Sequence, residues 1–272
     1  MLLIITKILV SVIVVLGLVF ISERNPRIGG LLVGLPLGTG IVVVFYAIEQ
    51  DIEFVLNSVP YGIAGLAASL MFALCFYLGN EVSPVKSNNI AHTLFSSVCG
   101  IFGFFVAGEI ISLLNLNILT SLLVFLVAYV FSRSVLKRVE TVKVEPKKST
   151  IDKIVFRIVV ITFIILTITT LADIIGCRWS GILASFPIML SPMIVILTYD
   201  YQDKIFPTVL KSFSLSIISL VLFYICLHFL LPTLGVTPGV IITYIICFGY
   251  VYILNIYTKR SFISVDAVKK IS

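Results

Sequence analysis

The chain has 272 residues, 60% of them hydrophobic and only 12% charged, with a formal net charge of +6 and a mean hydropathy of +1.18. A soluble domain carries about twice that share of charge, so this composition excludes a water-soluble globular fold, and lipid must cover much of the apolar surface. The positive balance would suit a nucleic-acid binder, but the cations fall in short loops between apolar runs, where they set orientation against anionic lipid; no nucleic-acid partner is expected.

A helix needs roughly 20 apolar residues to cross the hydrocarbon core. Reading for such runs in chain order predicts spans at 2–22, 29–48, 59–79, 90–113, 116–133, 153–173, 180–199, 206–230 and 238–257. Residues 2–22 resemble a signal peptide, yet they run long and lack a small-residue cleavage site before Glu23, so they are read as a retained first helix. Asn115-Leu116-Asn117 is read as a tight turn, because 90–133 is far too long for one span. The expected fold class is therefore all-α: a polytopic membrane protein of about nine transmembrane helices. Residues 1–133 form a first half of five helices, 134–152 a basic linker, 153–257 a second half of four helices, and 258–272 a basic tail.

Charge gives the orientation. With the linker cytoplasmic, nine spans place the N-terminus outside and the C-terminus inside. Arg24, Arg27, Lys86, the linker cations, Lys204, Lys211 and the C-terminal cations then lie inside, and only Lys7 and Arg178 lie outside. The outer loop 49–53 is acidic (Glu49, Asp51, Glu53). So lopsided a split is what the positive-inside rule predicts; the expected location, from compactness and the lack of targeting signals, is a prokaryotic cytoplasmic membrane.

One segment recurs. Arg27, Gly30, Gly34, Pro36 and Glu49 align without a gap on Arg178, Gly181, Ser185, Pro187 and Asp200, a constant offset of 151 residues (178 − 27, 187 − 36, 200 − 49). Five spans separate the copies, an odd number, so they would cross in opposite directions. An inverted-topology repeat of this kind underlies many secondary transporters, in which one half rocks against the other around a central site.

The pattern Asn25, Gly30-Leu31, Pro36, Glu49 resembles the GlpM family, small bacterial inner-membrane proteins with a similar spacing across one loop–helix unit. The second copy keeps Gly181-Ile182, Phe186-Pro187 and Asp200, with Gly176 in place of the asparagine. The resemblance covers about 50 to 60 residues of each half and implies two such units fused through the extra helix at 116–133. It implies no chemistry.

Matched Gly/Pro interruptions mark candidate binding sites, because each proline removes a backbone donor and frees polar groups to face a cavity. Gly34, Pro36, Ser185 and Pro187 are candidate substrate-binding residues on this ground; a bent helix packed closely through Gly30, Gly34 and Gly38 is the competing reading. Arg27 and Arg178 open their helices at opposite faces, as gates or anion-capturing forks, or as cations reaching lipid phosphate. Glu109, near the outer end of the fourth span, is a candidate proton-coupling carboxylate. Glu49, Asp173 and Asp200 read as boundary charges, Trp179 as an interfacial anchor, and the cysteines as small hydrophobes within apolar runs.

No H-E-x-x-H, G-x-S-x-G or P-loop occurs, and no catalysis, metal or cofactor is expected. The expected function is a secondary transporter or flippase for a small or amphipathic anion; the alternative is a non-catalytic membrane subunit in envelope biogenesis. Expected partners are the lipid bilayer, a small-molecule or lipid substrate, and a second copy or another membrane protein.

Overall fold

The structure, a computed structural model, describes residues 2–24, 35–136, 150–201 and 206–269. Every regular element among them is a helix: α1 (Leu2–Arg24), α2 (Leu37–Glu49), α3 (Ile52–Val82), α4 (Asn89–Ser112), α5 (Ile118–Leu136), α6 (Ile151–Ala184), α7 (Leu190–Tyr201), α8 (Phe206–Ser216), α9 (Ile218–Leu234) and α10 (Val236–Lys269). Among the described residues, six stretches are long and apolar enough to cross a membrane: Ile52–Val82, Asn89–Ser112, Ile118–Leu136, Ile151–Ala172, Val209–Leu234 and Val236–Leu254. The protein is thus an all-helical, polytopic membrane protein. Large apolar side chains such as Phe102, Leu119, Val127, Phe163 and Ile245 stand exposed on the outer helices, as a lipid-covered surface requires.

Helix α3 is the hub. Its most apolar window is 78% buried, against 33% or less for α4, α5 and α10, and it packs on α2, α4, α5, α6 and α9. Its sequence explains this. Gly62, Ala64, Gly65, Ala67, Ala68, Ser69 and Ala73 give a shaft of small residues that other backbones can approach closely, the usual route to helix association in lipid. A Cβ on Gly65 would lie 2.9 Å from Ile182 Cα. Cys99 and Cys75 fill the same kind of contact, lying over Gly79 and Gly103 where α3 crosses α4.

Helix boundaries follow local chemistry. The turn at 113–117 is present, and Asn117 caps α5 reciprocally: its Oδ1 accepts from Thr120 N at 2.9 Å while its own N donates to Thr120 Oγ1 at 2.9 Å. Helix α3 starts seven residues earlier than the expected 59, because Asp51 caps it through Phe54 N (2.6 Å) and the helix runs through Pro60. The sixth and seventh spans differ more. Helix α6 continues to Ala184 across a kink at Gly176 (φ 70), and the expected seventh span is broken at 185–189. The eighth is marked off at Ile217 into α8 and α9, where Ser216 Oγ donates to the Ser212 and Phe213 carbonyls, though Ile217 keeps helical dihedrals and Val209–Leu234 remains one apolar stretch. Helix α10 runs to Lys269 rather than 257.

Contacts sort the helix ends onto two ends of the bundle. Lys7 near the start of α1 meets Glu49 at the end of α2; Tyr61 bonds Leu114 O (3.1 Å) and Arg178 bonds Ser112 O (3.2 Å). At the opposite end, Lys153 meets Asp200, Asn89 bonds Tyr199 O (3.4 Å) and Arg133 bonds Ser214 (3.4 Å).

Candidate functional site

The two prolines break the backbone in the same way. Leu37 N donates to Leu35 O at 2.7 Å across Pro36, and Ile188 N donates to Phe186 O at 2.7 Å across Pro187. These are three-residue γ-turns, and Pro36 (φ −72, ψ 39) sits at the centre of the first. The helices then restart identically, with Gly40 N on Pro36 O (2.6 Å) and Ser191 N on Pro187 O (2.9 Å). All four donor and acceptor pairs are related by the 151-residue offset.

The breaks also meet. A Cβ on Gly38 would lie 2.9 Å from Ile188 Cβ, and Leu35, Gly38, Ser185, Pro187 and Ile188 surround a cavity of about 20 Å³. That is room for about one water. Among the described residues the freed backbone groups do not open onto a chamber. Tyr244 on α10 donates to Pro36 O (3.0 Å), its hydroxyl lying where a Cβ of Gly40 would be. Ser69 on α3 donates to Ser185 O.

Ser185 anchors a buried lock. Its Oγ donates to Gly62 O (2.6 Å), with Gly181 O at 3.2 Å, and lies 2.9 Å from Tyr224 Oη. Ser185 has one proton, so with Gly62 O as its acceptor Tyr224 is the donor of the third bond. Three helices are thereby joined at one point: α3, the end of α6 and α9. Tyr46 on α2 adds a fourth through Ser180 O (3.2 Å). Tyrosine hydroxyls reaching distant partners were missed by sequence reading; Tyr46, Tyr224 and Tyr244 look like interfacial or core aromatics until those partners, two carbonyls and the Ser185 hydroxyl, are known.

The same three helices lead from the lock to a vestibule of about 640 Å³, open at the bundle end that holds Lys7 and Glu49. Tyr61 in its wall is followed by Gly62 of the lock; Arg178 lies seven residues before Ser185, and His228 one turn after Tyr224. Arg178 is exposed and held in place by Ser112 O, by Asn115 Oδ1 (2.8 Å) and by the Tyr61 ring, 5.4 Å from its guanidinium carbon. All three partners are neutral.

Two ion pairs stand at opposite ends of the bundle, and the sequence reading treats their acids only as boundary charges. Lys7 Nζ lies 2.6 Å from Glu49 Oε1, with the lysine side chain 4% exposed, and 5.4 Å from the Phe45 ring centre. Lys153 pairs with Asp200, its side chain 33% exposed. Each ties a lysine near the start of a helix, α1 or α6, to the acid near the end of a helix that follows a proline break. A lone lysine inside the apolar run 2–22 is the signal that was available.

Of the residues expected to form a site, the structure gathers Pro36, Ser185 and Pro187 at the centre and places Arg178 at the mouth. Arg27 and Gly34 lie outside the described residues, as do Asn25 and Gly30. Glu109 stands apart: it is exposed on α4, one turn from the Ser112 carbonyl that Arg178 binds, with no ion pair among the described side chains. Trp179 packs on α4, its ring 3.2 Å from where a Cβ of Gly108 would be. No protein-family model, no curated protein and no solved structure matches the chain.

Proposed function

We propose that this protein is a secondary transporter or flippase for a small or amphipathic anion, working by alternating access between two inverted repeats. The observation that carries the reading is the pair of γ-turns at Pro36 and Pro187, equal in hydrogen-bond pattern and packed against each other at the centre. Broken helices in corresponding positions of two halves are where such proteins bind their cargo. In this reading the chain crosses a cytoplasmic membrane nine times, with the N-terminus outside and the C-terminus inside, and consists of two GlpM-like units plus α5.

The ion pairs supply the closures. Lys7–Glu49 fastens the outer end and Lys153–Asp200 the inner end. With both formed and the centre filled by Ser185, Tyr224 and Tyr244, the arrangement is an occluded one. Opening one face requires one pair to part and the lock to shift, while the other pair holds. The experiment is uptake or scrambling in proteoliposomes with a panel of anionic solutes and lipids. Gradient-dependent flux that is abolished by Pro187→Ala together with Pro36→Ala is the expected result; no flux for any anion counts against the reading.

One observation favours a second reading. The centre is closely packed through Gly38, Gly62, Gly65 and Gly181, as a membrane subunit that only holds partner proteins would also be. That reading expects stable co-purification with another membrane protein and no change in maleimide access to α3 or α6 under any ion gradient.

A further inference from the structure

We infer that the vestibule beneath Arg178 is a binding site for an anionic amphiphile: a phosphate or carboxylate headgroup carrying an apolar tail. The choice of class takes the anionic cargo from the transport reading above, but the site is defined by its own walls.

Its polar side is cationic or neutral. Arg178 is tethered by Ser112, Asn115 and Tyr61, all neutral, so its charge is oriented but not compensated by any described side chain. Asn57 and Asn117 add amides, and His228 adds an imidazole whose Nδ1 is buried with no hydrogen-bond partner among the described residues. No carboxylate lines the space among the described residues. A guanidinium fork beside amide donors suits an oxyanion.

The remaining wall is apolar: Leu56, Pro60, Leu116, Ile118 and Leu119. Leu119 is exposed to the surroundings of α5, so a tail lying along this wall continues into the lipid. A volume of about 640 Å³ is within the range of small-molecule sites, about 300–1,000 Å³. Neither a bare inorganic anion nor a neutral hydrocarbon satisfies both walls.

The test uses the full chain purified in an uncharged detergent, with dodecyl phosphate, inorganic phosphate and dodecyltrimethylammonium as probes. Dodecyl phosphate should bind saturably, and Arg178→Gln should weaken it about 10-fold or more, the size of a lost charge-assisted hydrogen bond. Leu119→Asn should weaken dodecyl phosphate. A second measurement needs no change at the site: Cys177 lines the vestibule, and dodecyl phosphate should slow its alkylation by maleimide, read by peptide mass spectrometry.

Equal binding of inorganic phosphate would overturn the proposal by showing that a free anion, not an amphiphile, is the ligand. Unchanged affinity in Arg178→Gln, binding of the cationic amphiphile, or unprotected Cys177 would also overturn it. Binding without flux in proteoliposomes leaves the site and sinks the transport reading; flux without binding does the reverse.

Discussion

At single positions, space decides more than chemistry. Gly181 faces Ser58 O, so that an added methyl would collide with backbone, whereas no described atom lies within 4 Å of a Cβ on Gly17. Gly181→Ala should therefore cost about 1–3 kcal/mol and Gly17→Ala nothing, measured as unfolding in detergent. Ser185 tests the lock. Ser185→Ala leaves the Tyr224 hydroxyl buried without its partner, since no other bond to it is present among the described residues, at about 1–3 kcal/mol. Tyr224→Phe removes the same bond but leaves Ser185 on Gly62 O, and should cost less. The sequence marks Gly181, Ser185 and Pro187 through the repeat. It cannot mark Tyr224 or Ser69, because their roles rest on partners more than 30 residues away.

Among elements, the two ion pairs should differ. Lys7 is almost wholly buried, and taking away one member of a buried pair strands the other charge at about 3–5 kcal/mol. Lys153 is a third exposed, so solvent screens its pair and about 0–1 kcal/mol is expected. Lys7→Gln should thus destabilise far more than Lys153→Gln, and the double variant Lys7→Gln with Glu49→Gln should recover much of the loss, as read by a double-mutant cycle. A helix limit was legible where a cap wrote it locally, at Asn117 before α5; the kink at Gly176 inside α6 and the turn at Gly235 before α10 (φ 78) were not marked by the apolar pattern. The break after Ser185 was expected as a proline interruption of the helix, without its bounds. Its full extent depends on Ser69 taking up the carbonyl that the γ-turn exposes.

For the whole molecule, the nine-span reading makes a topological prediction. Tags at the two termini should report from opposite faces of the bilayer. A cysteine at Asn115 should react with an impermeant maleimide from outside and one at Ser87 only from inside, in cells lacking the native cysteines. Both termini on one face would remove the inverted repeat, and the alternating-access reading with it.

Residence in the membrane was fixed by composition alone, because no soluble packing hides 60% hydrophobic residues in a chain of this length. The constant 151-residue spacing, too, is written in linear order, since it can be read without knowledge of the fold. Whether the proline breaks enclose a chamber was a different kind of question. Tyr244, Ser69 and the Gly38–Ile188 contact close the centre, and the space lies higher up, beside Arg178. A proline frees backbone groups wherever it occurs in a helix, but what receives them depends on side chains that only tertiary packing brings within reach.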